Sequence, residues 1–140
     1  MKKKIGVGFL VLIFILLMAG CTGRNGSDGV SNPTDDSIQE IGEGFTSFRL
    51  DVVDAEGEIG HWKVNTDALT VGYALLELGF ISGDTTDFGL MIDSVNGITA
   101  SWDEDNAFWA FYINGEFATA GADTTEIDSD ALYSFVYSQG

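Results

Sequence analysis

The sequence predicts an α+β domain in which a mainly antiparallel sheet wraps a single helix. Three observations predict it. Apolar and polar residues alternate over several short runs, the period of half-buried strands. One run, Val71 to Leu78, instead carries a helical stripe. Two Asn-Gly pairs, Asn96-Gly97 and Asn114-Gly115, stand between strand-like runs, the preferred chemistry of a type I′ hairpin turn. A chain of 140 residues has room for one ordinary domain and little more.

Residues 1–20 read as a signal peptide. Lys2, Lys3 and Lys4 supply its basic part and Ile5 to Leu17 its apolar part. That run falls short of the roughly twenty apolar residues a membrane-spanning helix needs. Leu17-Met18-Ala19-Gly20-Cys21 resembles the bacterial lipobox, in which the cysteine thiol takes a diacylglycerol and becomes the mature N-terminus. On this reading Cys21 is lipidated and anchors the protein to the extracellular face of the cell membrane. The alternatives are a plain signal peptide with an incidental cysteine and an uncleaved anchor. Residues 21–44 follow as the lipidated cysteine and a flexible acidic linker. Gly, Ser, Asn, Asp and Thr dominate it, and it lacks the apolar surface to offset the entropy of ordering.

The domain is expected over residues 45–140. Phe48, Leu50 and Val52 alternate with Arg49, Asp51 and Val53 as a first strand; Asp54-Ala55-Glu56-Gly57 turns the chain into a return strand, Ile59 to Asn65. Thr70 is placed to cap a helix whose stripe is Val71, Ala74, Leu75 and Leu78, with Gly79 to end it. Further strands are expected at Leu90 to Val95, Ile98 to Trp102, Phe108 to Ile113, Glu116 to Ala118 and Leu132 to Tyr137.

Composition excludes several functions. There are 22 acidic and 6 basic side chains, and beyond residue 20 the bases are only Arg24, Arg49 and Lys63. A nucleic-acid partner needs a basic surface that releases counterions, so none is expected. One cysteine excludes an internal disulfide and a multi-cysteine zinc site, and one histidine excludes His-pair metal motifs. Ser94, Ser101 and Ser134 lie in no nucleophile-elbow context, and no pair of acids is marked out for glycoside hydrolysis. The protein is not expected to be an enzyme, and no cofactor is required.

Three segments in order are Thr66 to Gly79 (TDALTVGYALLELG), Met91 to Ile98 (MIDSVNGI) and Phe108 to Gly115 (FWAFYING). Together they resemble the DUF4430 family, the transcobalamin-like C-terminal domain, found widely in Gram-positive surface proteins. The resemblance implies a β-grasp-like fold. It also implies a corrinoid ligand, because in the animal cobalamin carriers this domain closes over a corrinoid held against a helical barrel. That barrel is expected to be absent here, leaving one side of a corrinoid uncovered. In this comparison Asp93-Ser94-Val95-Asn96-Gly97 and Phe108-Trp109-Ala110-Phe111 match segments near the ligand.

The residues themselves point to an aromatic surface. Alternation in Phe108 to Ile113 sends Phe108, Ala110 and Tyr112 to one face and Trp109, Phe111 and Ile113 to the other, both apolar. One face must meet the helix, leaving the other for a flat ligand or a partner unless helix and loops cover both. The expected ligand contacts are Trp109, Phe111 and Phe117 for apolar area, with Asp93, Ser94 and Asn96 among the polar residues. His61, between Gly60 and Trp62 with no second His or Cys to help, reads as a strand histidine rather than a metal ligand. Asp103-Glu104-Asp105 and Asp123 to Asp130 read as solvated acidic loops, with Ca²⁺ binding as the alternative.

The function these readings support is a cell-surface binding lipoprotein. It would capture cobalamin or another corrinoid and hand it to an uptake transporter. An adhesion or protein-interaction module, and a Ca²⁺-binding surface domain, are the rival expectations.

Overall fold

The computed structural model describes residues 37–140. The signal segment 1–20, Cys21 and the linker as far as residue 36 lie outside the described residues. In chain order the elements are β1 (Ile38–Gly42), β2 (Thr46–Val53), β3 (Ile59–Thr66), α1 (Val71–Glu77), β4 (Ile81–Thr86), β5 (Gly89–Val95) and β6 (Ile98–Thr99). Then come α2 (Trp102–Asp105), β7 (Ala107–Ile113), β8 (Glu116–Phe117), a 3-10 turn (Ala122–Thr124) and β9 (Leu132–Gln139). This is the α+β class expected. The strands form two sheets rather than one: β1-β3-β2-β9-β7-β8 and β4-β5-β6. In the larger sheet β1 and β3 run parallel, as do β2 and β9, and the other pairs are antiparallel.

Period-two alternation builds the core. Phe48, Leu50 and Val52 of β2, Trp62 and Val64 of β3, and Tyr133 and Phe135 of β9 all point inward, while Arg49 and Lys63 stay exposed. The helix α1 adds Val71, Ala74 and Leu75 to the same cluster. Each fully buried Leu or Phe contributes about 1.5–3 kcal/mol relative to its exposed state. The Thr70 hydroxyl accepts the Tyr73 N–H at 3.4 Å, and helix α1 stops at Leu78 before Gly79, whose φ is 65°. Among the described residues no helix is long and apolar enough to cross a membrane.

Three local readings need correction. Ile38–Gly42, read as linker from its acids and glycines, is an edge strand. It is registered on β3, and Glu40 Oε1 accepts from Asn65 Nδ2 at 2.9 Å and Lys63 Nζ at 3.2 Å. The Asn65 bond, with the Lys63 bond and charge, holds the Glu40 carboxyl below the usual carboxylate range. Strand β4 was not expected; Ile81 is the one buried side chain in Ile-Ser-Gly-Asp-Thr-Thr, and pairing with β5 supplies what its composition does not. The strand expected over Ile98 to Trp102 ends at Thr99. The Ser101 hydroxyl accepts the Glu104 N–H at 3.3 Å and starts α2, with Asp103, Glu104 and Asp105 in a first turn that favours negative charge.

The two sheets share one core, to which β4 and β5 contribute Ile81 and Val95. A hydrogen bond also crosses between them. Trp109 Nε1 on β7 donates to the Ile98 carbonyl on β6 at 3.1 Å, and the indole meets the Tyr137 ring edge-on at 5.5 Å. Trp109→Phe keeps an aromatic ring but removes the donor. It should cost about 1–2 kcal/mol, from an unpaired acceptor and lost ring area. Urea unfolding should show a lower midpoint with an unchanged slope, and an unmoved midpoint would contradict the tie.

Candidate functional site

The site begins with a β-bulge. Ser82 pairs with Ser94 and Gly83 with Ile92, so Asp93 is the extra residue of β5. A side chain at Gly83 would overlap the Met91 carbonyl, so the close approach of the two strands requires glycine there. The bulge fixes Asp93 from two sides. Its carbonyl accepts the Ala100 N–H at 2.8 Å, and its Oδ1 accepts the Ser82 hydroxyl at 3.0 Å. Opposite Met91 on the neighbouring strand stands Asp84.

Beside the bulge, elements of both sheets line a groove of about 240 Å³. Asp84, Met91, Ile92 and Asp93 come from the smaller sheet, Trp102 from α2 and Phe108 from β7. Trp102 and Phe108 lie 6.3 Å apart between ring centroids, inclined at 53°. A side chain at Gly140 would overlap the Trp102 indole, and Gly140 is tied to Asn106 by hydrogen bonds of 2.6 and 2.9 Å. The rings are therefore placed but uncovered: Trp102 is 58% exposed, Phe108 39% and Met91 65%. The lining has two carboxylates and no cation. Arg49 and Lys63, the only Lys or Arg among the described residues, are cross-strand neighbours on β2 and β3.

The residues expected at the site are dispersed in the structure. Trp109 and Phe111 are 7% and 8% exposed and belong to the core. Phe111 stacks on Phe135 at 5.0 Å and on Tyr133 at 6.1 Å, so neither ring offers a stacking platform. The two-face reading of β7 was sound, but Trp109 and Phe111 take the inner face and Phe108 the outer. Phe117 is 62% exposed, yet it packs edge-on against Tyr112 at the far end of β7 from Phe108. Ser94 is half-buried between Ser82 and Thr99 in the ladder. Asn96 and Gly97 both take positive φ where β5 turns into β6, and Asn96 borders a different concavity, with Ile59, Trp62 and Ile98. Of the six expected ligand contacts, Asp93 alone lines the groove. Met91, Trp102 and Phe108, which also line it, are not among those six. The Ser101-x-x-Glu104 spacing, a helix-start signature, was the signal for lifting Trp102 out of the strand.

Two other features are engaged elsewhere. His61 Nδ1 lies 2.7 Å from Asp51 Oδ1 in a concavity of about 320 Å³ on the outer face of the larger sheet, with Arg49, Ile38 and Leu132. The acidic loops do not converge: among the described residues no group of three or more His, Cys, Asp or Glu side chains is arranged to hold a metal ion.

The fold and groove together define a small α+β domain with an exposed aromatic site at the seam of two sheets. Residues 65–131 match the model of the family described as "Domain of unknown function (DUF4430)". No curated protein matches the sequence. Among solved structures, a candidate metal-binding protein from Ruminococcus gnavus ATCC 29149 is similar with a TM-score of 0.64 and 22% identity. The match covers 69% of this chain and 99% of that one. Haptocorrin in complex with Cbi (cobinamide) is similar with a TM-score of 0.50 and 16% identity, over 71% of this chain. This chain spans only 26% of haptocorrin's length. At these identities the likeness shows the fold alone.

Proposed function

We propose that this protein is a cell-surface binding lipoprotein, tethered through lipid on Cys21, whose seam groove grips one edge of a small ligand. The observation that carries the reading is the uncovered wall of Met91, Trp102 and Phe108 beside the bulge-held carboxylate of Asp93. Covering apolar surface gains roughly 25 cal/mol per Å². A fixed carboxylate adjoining that surface accepts an amide or hydroxyl hydrogen and sets orientation. None of this needs a nucleophile or a general acid, and the role is binding rather than catalysis.

The ligand we name is a corrinoid, cobalamin or cobinamide, held for delivery to an uptake transporter. Support comes from the fold shared with haptocorrin, a protein solved with Cbi. The groove's size sets how such a ligand is held. At about 240 Å³ it is smaller than the roughly 300–1,000 Å³ that encloses a drug-sized molecule. It takes a peripheral amide and the adjoining apolar rim, not the whole macrocycle. Affinity in the isolated domain is accordingly modest.

Calorimetric titration of cobinamide into residues 22–140 should give saturable binding in the micromolar range. The double variant Trp102→Ala with Phe108→Ala should weaken it at least tenfold, about 1.4 kcal/mol, with the circular dichroism spectrum unchanged. Absence of heat with both cobinamide and cobalamin would remove the corrinoid; unchanged affinity in the double variant would remove the groove. The anchor is tested separately. Cys21→Ser should move the protein from the membrane fraction to the soluble fraction and abolish its acylation. An unaltered partition would contradict lipidation.

A further inference from the structure

We infer that the seam groove selects an organic cation, an alkylated ammonium group in the first instance. This rests on the reading of the groove as a ligand site and goes beyond it, naming a compact cationic group as the occupant the lining prefers over a neutral amide edge. Trp102 and Phe108 expose ring surface to the groove, and the negative face of an aromatic ring attracts a cation lying over it. Asp84 and Asp93 bring two carboxylates to the same lining, and Asp93 is fixed there by the bulge. No basic side chain lines the groove to compensate them. The described residues' two basic side chains stand on β2 and β3, and Lys63 is 3.2 Å from Glu40.

The lining therefore ranks ligands by charge. An anion meets two carboxylates inside a strongly acidic protein and is repelled. A neutral apolar group gains ring contact but takes water away from carboxylates without giving them a counter-charge. A quaternary or alkylated ammonium covers the rings with its methyl or methylene groups and supplies that charge at the same time. It is also the right size, since a groove of about 240 Å³ holds one compact head group rather than a large ligand.

The test compares two probes of nearly the same shape, choline and its neutral isostere 3,3-dimethyl-1-butanol, titrated into residues 22–140. Choline should bind at least tenfold more tightly than the alcohol, and raising the ionic strength should narrow the gap. Asp84→Asn alone, at an exposed position outside the bulge, should lower choline affinity several-fold and leave the alcohol unaffected. Trp102→Leu should weaken both probes. Equal affinity for choline and the alcohol, with both weakened by Trp102→Leu, would overturn the charge selection and leave the groove standing as a ligand site. Choline binding indifferent to Trp102→Leu, or no binding of either probe at millimolar concentration, would overturn this inference, while the groove reading stands or falls separately on the cobinamide titration of the double variant.

Discussion

The indole of Trp109 is the constraint on which the rest of the molecule depends. It sits on a strand of the larger sheet, is nearly fully buried, and donates its N–H to the Ile98 carbonyl in the smaller sheet. A buried indole N–H left without a partner is costly, so the hydrogen bond fixes how β6 lies against β7 as well as adding to stability. Strand geometry then decides the neighbour. If Trp109 faces the core, Phe108 faces outward, and Phe111 returns inward to stack on Phe135. One residue's burial thus settles which of these aromatics lie in the core and which stay exposed.

The groove is the consequence of that seam. Its walls come from both sheets and from α2, whose start is set by the Ser101 cap; its polar side comes from a bulge that only Gly83 permits. The rigid parts are the ladders and caps, and the uncovered parts are rings held in place by them. Such a division suits recognition, because ordering costs little when the contact surface is already positioned. Charge adds a further distinction. The only basic side chains of the described residues are on the larger sheet, leaving the groove with carboxylates and rings.

Much of the fold was legible wherever local pattern and tertiary context agree. Phe48, Leu50 and Val52 alternate in the sequence and are buried in the structure; Thr70 looks like a cap and accepts the Tyr73 N–H. Elements whose reason is tertiary were not legible. Strand β1 has only Ile38 and Ile41 as large apolar residues, and it exists because β3 offers an edge and Asn65 and Lys63 bind Glu40. Strand β4 has a polar sequence that pairing with β5 makes into a strand. In the site, alternation showed that β7 has two apolar faces, but the side that meets the core is set by β9 and α1, far away in sequence. Asp93 was found because its segment resembles the family; its bulge appears only once β4 is known.

The most direct test uses the three tryptophans as built-in reporters. Trp62 and Trp109 are each 7% exposed and Trp102 is 58% exposed. In a ¹⁵N-labelled domain their indole N–H resonances can be followed one by one during titration with cobinamide. The Trp102 resonance should shift progressively to saturation while those of Trp62 and Trp109 stay in place. A shift at Trp109 with Trp102 unmoved would contradict it, because the ligand would then be reaching the face assigned here to the core.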